Sequence, residues 1–86
     1  MEKYEKLLLQ ILTGRSDANI NFNDLVNLML KMNFDKRVSG SHNTFRKTGI
    51  VEKINLQKEG NKAKPYQVRQ VRNIILKYTL RIKSNG

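Results

Sequence analysis

The chain has no cysteine and no tryptophan, one proline and one histidine among its 86 residues. Without cysteine there is no disulfide framework and no thiolate metal site. The compartment expected from that is the reducing cytoplasm. A single histidine and a shortage of acids also leave little with which to build a metal cage, so no metal and no other cofactor is expected. Long apolar runs are missing as well. The longest, Leu7-Leu8-Leu9-Gln10-Ile11-Leu12, is far shorter than the roughly 20 residues a membrane span needs. Its flanking Glu2 and Glu5 are unlike the basic start of a signal peptide, and no membrane association is expected. No internal repeat is visible, and the length suits one domain near the small end of what folds unaided.

What the chain does have is positive charge, 17 Lys and Arg against 7 acids for a net +10. It is unevenly spread. Residues 1–35 hold four bases and five acids, net −1, whereas residues 36–86 hold thirteen bases and only Glu52 and Glu59, net +11. Such asymmetry points to nucleic acid or another polyanion as partner. A merely soluble basic surface is the plainer alternative. It is weakened because the excess lies in the half that also holds the histidine.

In chain order, Tyr4, Leu7, Leu8, Ile11 and Leu12 have the spacing of one apolar helical face, which predicts a helix over 3–13 stopped by Gly14. A polar connector follows from Arg15 to Asn21. A second helix is expected from an N-cap at Asn23 to about Asn33. Leu25, Val26, Met29 and Met32 form its buried stripe, widened by Leu28 and Leu30. The period then changes from 3.6 to two. Strands are expected at 36–39, 42–47 and 51–57, with turns at Gly40-Ser41 and Thr48-Gly49. If Phe45, Ile54 and Leu56 face the core, His42, Thr44 and Arg46 lie on the opposite face. Residues 58–64 read as a loop, and Pro65 as the first residue of a last helix with Val68, Val71, Ile74, Ile75 and Tyr78 buried. Residues 81–86 are expected to fray. The fold class is therefore α+β. An α-β-β-β-α core over 15–80 follows an N-terminal helical extension over 1–14, and the three-stranded antiparallel sheet is covered by helices on one face.

The run Gly40-Ser41-His42 with Phe45 after it resembles the signature of the HicA toxins. So does Ile54-Asn55-Leu56-Gln57 followed by Gly60-Asn61-Lys62-Ala63-Lys64-Pro65-Tyr66-Gln67-Val68 and Gln70-Val71-Arg72. Asn19-Ile20 with Phe22, Asp24 and Leu25 is similar to the start of that family's first core helix. The likeness spans roughly residues 15 to 80. A Gly-x-His alone would mean little, and the ordered run from Ile54 to Arg72 is the more specific part. The resemblance implies a double-stranded-RNA-binding-domain-like fold and a type II toxin–antitoxin toxin acting in stress response. It also implies cleavage of mRNA that blocks translation, one catalytic histidine at the position of His42, and a HicB-type antitoxin as protein partner. Asn43-Thr44 stands where the family frequently has an apolar residue or a second histidine, a departure that bears on substrate preference.

The residues support such chemistry independently. RNA carries its own nucleophile, the 2′-OH beside each phosphate, so the protein need not supply one. It needs a proton acceptor, for which a histidine is suited, and positive charge or N–H donors at the phosphate oxygens. Lys36, Arg46 and Lys47 are basic residues near His42 in sequence, and the Gly40-Ser41 turn offers backbone N–H groups. Lys62 and Lys64 precede a helix N-terminus, where side-chain charge and helix dipole both favour phosphate, and Arg69 and Arg72 extend the basic set along that helix. The proton donor to the leaving 5′ oxygen stays open among water, a lysine, Tyr66 and His42 itself.

Plainer readings stand beside these. A lone histidine in a small domain is commonly an incidental surface residue. Ser41 is not expected to be a nucleophile, because no carboxylate is placed to orient His42. Gly40 and Gly49 can be simple turn residues, and Lys62 and Lys64 simple solvated ones. Two rival functions are a non-catalytic double-stranded-RNA-binding module, which would share the fold, and a basic surface built to receive an acidic protein.

Overall fold

The three stretches of helical periodicity are α1 (Lys3–Thr13), α2 (Phe22–Lys31) and α3 (Pro65–Tyr78) in the computed structural model of the chain, which describes residues 2–82. α1 ends where Gly14 takes the left-handed conformation, φ 71°, and its N–H returns to the Ile11 carbonyl. The N-cap of α2 is Asn21 rather than Asn23. Its backbone is extended, and its side-chain oxygen accepts from the Asp24 N–H at 3.0 Å, which leaves Asn23 inside the first turn. α2 stops at a left-handed Asn33, beyond which the Phe34 N–H reaches back to the Met29 carbonyl and the Phe34 ring is buried. Leu28 is fully buried, but Leu30 is 43% exposed, so the apolar stripe of α2 is narrower than its sequence implies.

The sheet is antiparallel in the order β1 (Asp35–Ser39), β2 (His42–Arg46), β3 (Ile54–Leu56). Ser39 pairs with His42, Arg37 with Thr44 and Asp35 with Arg46, and Phe45 pairs with Ile54 on β3. β3 is shorter than the expected 51–57, because residues before it are held in a loop. Ile50 is buried there, its N–H bonds to the Lys47 carbonyl, and Glu52 ties the loop to α3. Residues 58–63, read from sequence as loop, form a small hairpin of β4 (Lys58–Glu59) and β5 (Lys62–Ala63). This hairpin grips the segment before α2: the Ala63 N–H donates to the Ile20 carbonyl and the Phe22 N–H to the Asn61 carbonyl.

Phe45, Ile54 and Leu56 are fully buried with Leu25, Leu28 and Met29 of α2 and Val68 and Val71 of α3. The helices thus cover one face of the sheet, making a small α+β domain. Both α2 and α3 have extensive backbone neighbours on α1. α1 is accordingly an integral part of the core, with Leu7 and Ile11 buried, and not an appendage. Of the tail expected to fray, Ile82 packs partly against the core and residues 83–86 lie outside the described residues. Among the described residues, no helix is long and apolar enough to cross a membrane.

Two polar clusters tie loops to α3. Arg72 lies in the first, its guanidinium 2.9 Å from Asp17 and 3.2 Å from the Ile11 carbonyl at the end of α1. A side chain at Gly14 would meet that guanidinium at 3.1 Å. Arg72 is mostly covered and serves as a cation for the negative end of α1. In the second, the Glu52 carboxylate accepts from the Tyr78 hydroxyl at 2.5 Å and from Lys77 Nζ at 2.9 Å.

Replacing Arg72 by Met takes this donor from Asp17 and leaves the Ile11 carbonyl with the Gly14 N–H alone. It is expected to lower stability by about 1–3 kcal/mol in urea denaturation, whereas Arg69→Met, an exposed position, should change the midpoint little. The second cluster gives a pH dependence. The Tyr78 hydroxyl, then the Lys77 ammonium, hold the Glu52 carboxyl at about 2 against an ordinary 4.5. Its stabilising effect is present above pH 4.5 and fades as pH falls toward 2. Glu52→Gln should therefore flatten the fall of the melting temperature across that interval, and an unchanged profile would show that the cluster contributes nothing to folding.

Candidate functional site

Alternation along β2 places His42, Thr44 and Arg46 on the face opposite Phe45. Register then adds Ser39, Arg37 and Asp35 from β1, and Asn55 from β3, to the same face. No helix covers this side: His42 and Arg46 are exposed, and so is every residue of β1. Thr44 Oγ1 donates to Asn55 Oδ1 at 2.9 Å, tying β2 to β3. On this face lies a shallow depression of about 670 Å³ that Ser39, the cross-strand partner of His42, lines together with Lys36, Arg37, Thr44, Arg46 and Lys53. Its rim is cationic apart from Asp35.

His42 is placed by the tightest turn in the sheet. Ser39 and His42 pair across Gly40-Ser41, and Gly40 has φ 59° as first central residue, the position for which a II′-type hairpin selects glycine. The imidazole has one protein partner among the described residues: its Nδ1 lies 3.1 Å from Nε2 of Gln57. The other end of that amide, Gln57 Oε1, accepts from Lys64 Nζ at 3.0 Å. The Gln57 backbone is fixed in turn, because its N–H donates to Oε1 of Gln67 at 2.8 Å. Gln67 is 3% exposed and in the first turn of α3, and its own Nε2 reaches the Tyr66 hydroxyl at 3.4 Å. A buried amide with both ends occupied holds the end of β3 to the start of α3.

The residues singled out from sequence divide three ways. His42, Gly40 and Ser41 come together at the hairpin, and Arg46 lies on the same open face at the other end of β2. Lys36 pairs with Phe45 in register and lines the depression with Arg37, while Lys47 lies past the end of β2. Proximity in sequence selected both, and of the two only Lys36 lines the depression. Lys64 joins the site through Gln57. Lys62, on β5, pairs with Glu59, and Arg69 is exposed on α3. Arg72 is withdrawn into its pair with Asp17 and is not a phosphate ligand. The site residues the sequence reading missed are Arg37, Lys53, Gln57 and Gln67. The first three were accessible from the two-residue period, since Lys53 and Gln57 alternate with the buried Ile54 and Leu56. Gln67 carried no signal of its own.

Among the described residues, no group of three or more His, Cys, Asp or Glu is placed to hold a metal ion. Comparison with family models, with characterised proteins and with solved structures yields no match for this chain.

Gln67→Met removes the acceptor for the Gln57 N–H in a buried position. A loss of about 1–3 kcal/mol is expected, together with faster hydrogen exchange of the Gln57 amide. Exchange as slow as in the wild type would mean that Gln67 does not hold the strand.

Proposed function

We propose that the chain is a metal-independent endoribonuclease in which the open face of the sheet binds RNA and His42 is the general base on a 2′-OH. The supporting observation is an exposed, hydrogen-bonded imidazole on the same open face of the sheet as a depression lined by Lys36, Arg37, Arg46 and Lys53. The guanidinium and ammonium groups neutralise the phosphate backbone. The imidazole takes the proton of a 2′-OH, whose oxygen forms a new bond to the adjacent phosphorus as the bond from phosphorus to the 5′ oxygen breaks. The charge that builds on the phosphate oxygens meets those cations and the N–H groups of the Gly40-Ser41 turn. RNA supplies the nucleophile, so no metal is needed to make one.

On this reading the succession α2, β1–β3, α3 is a double-stranded-RNA-binding-like fold with α1 added. The protein is then a HicA-type toxin that cleaves mRNA and blocks translation in the cytoplasm. A HicB-type antitoxin would restrain it, offering carboxylates to the same cationic face.

The test is incubation of the purified protein with RNA, with and without EDTA, beside His42→Ala. Cleavage that survives EDTA and falls by about 10²–10⁴-fold in the variant is expected, with the thermal melt little changed because His42 is exposed. Arg37→Ala with Lys53→Ala should make the log–log salt dependence of RNA binding shallower by about 0.7–0.9 per lost contact. Undiminished cleavage by a folded His42→Ala variant would require another base. RNA binding without cleavage would identify a double-stranded-RNA-binding module instead.

A further inference from the structure

Lys64, Gln57 and His42 form a relay whose hydrogen-bond polarity is fixed from one end. A lysine ammonium has three N–H groups and no acceptor. The end of the Gln57 amide that faces it must therefore be the carbonyl, as the 3.0 Å contact of Nζ with Oε1 shows. The amide NH₂ is then turned to His42, 3.1 Å from Nδ1. Nδ1 can meet an N–H only with its lone pair, so the neutral ring carries its proton on Nε2. Nε2 is the ring nitrogen left for substrate, and in this tautomer it is a donor. A base acting through Nε2 needs the opposite tautomer.

We propose that Lys64 and Gln57 form a substrate-released latch on the tautomer of His42. In the free protein they keep the proton on Nε2. A phosphate that draws Lys64 away frees the Gln57 amide to turn over. Oε1 then accepts from Nδ1–H, and Nε2 presents a lone pair to the 2′-OH. No net proton is gained, since Nε2 gives one to water and Nδ1 takes one, and the exposed ring allows that exchange. Phosphate can win Lys64 because an ammonium–phosphate bond is charge-assisted on both sides, whereas its bond to an amide oxygen is so on one. Only the side chain has to move, because the Gln57 backbone is pinned to the buried Gln67. Gln57 and Lys64 are thus positioning residues, and the latch rests on the reading of His42 as a ribonuclease base.

Long-range proton–nitrogen NMR of the imidazole at about pH 8.5, above histidine's ordinary range, reads the tautomer without any cleavage assay. The wild type should show Nε2–H. Lys64→Arg, also donor-only, should keep it, and Lys64→Met should lose the fixed preference. Gln57→Glu, with acceptor oxygens alone, should move the proton to Nδ1. Dispersed amide spectra certify the fold of each variant. Adding a 2′-O-methyl RNA hairpin, which lacks the nucleophile, should convert the wild type from Nε2–H to Nδ1–H. Nδ1–H in the free wild type, or Nε2–H persisting in the complex, overturns the latch. A hairpin that does not bind sinks the ribonuclease reading, and the release step with it, separately from the free-protein measurement.

Discussion

Phe45 is the one fully buried side chain of β2, and its seat among the helices sets the orientation of every other residue in that strand. Side chains alternate, so burying Phe45 turns His42, Thr44 and Arg46 outward. A slip of one residue would bring the phenyl ring into water at about 1.5–3 kcal/mol. It would also press Arg46 and His42 into an apolar layer with no partner, a change that costs more. For a domain whose whole stability is on the order of 5–15 kcal/mol, that difference is enough to exclude the alternative register. The two-residue turn at Gly40 acts in the same direction, because it pairs Ser39 with His42 and admits no extra residue. Core packing and turn chemistry thus agree on where the imidazole stands.

A three-residue β3 supplies few ladder bonds, and the loops around it need other anchors. α3 provides them along its length. Near its N-terminus Gln67 accepts the Gln57 N–H, midway Arg72 holds Asp17 and the end of α1, and at its C-terminal end Lys77 and Tyr78 hold Glu52. Each tie fixes a different segment to one rigid element. The site inherits that rigidity: His42 is placed by the hairpin from one side and by Gln57, itself bound to α3, from the other.

The elements legible from sequence are those with a long, clean period. The helices at 3–13 and 65–78 and the hairpin across Gly40-Ser41 fall where apolar spacing and turn residues put them. What was not legible depends on partners distant in the chain. Asn21 and Asn23 are equivalent as cap residues by composition, and the choice is made by the pairing of Asn21 with Lys62 on β5. β3 is short because Ile50 and Glu52 find partners outside the sheet, which no local pattern announces. For the site, the period of two was sufficient to place Lys53 and Gln57 on the face of His42. Nearness in sequence favoured Lys36, which lines the depression, and Lys47, which lies past the end of β2.

The same distinction governs the charge. Seventeen bases against seven acids give the chain a strong positive field, yet bulk charge does not say which bases produce it. Arg72 and Lys77 neutralise acids within the protein, and Lys64 is engaged by an amide. Lys36, Arg37, Arg46 and Lys53 line the depression on the open face of the sheet. The distribution is what an anion-binding face requires. Cations with internal partners give rigidity, and cations facing water give the field, which falls off within a Debye length of about 8–10 Å at physiological salt. Lys64 belongs to both groups: its present partner is neutral and its charge is uncompensated. A mobile anion reaching the start of α3 therefore has more to offer Lys64 than the Gln57 carbonyl does, and that difference is the physical basis of the proposed latch.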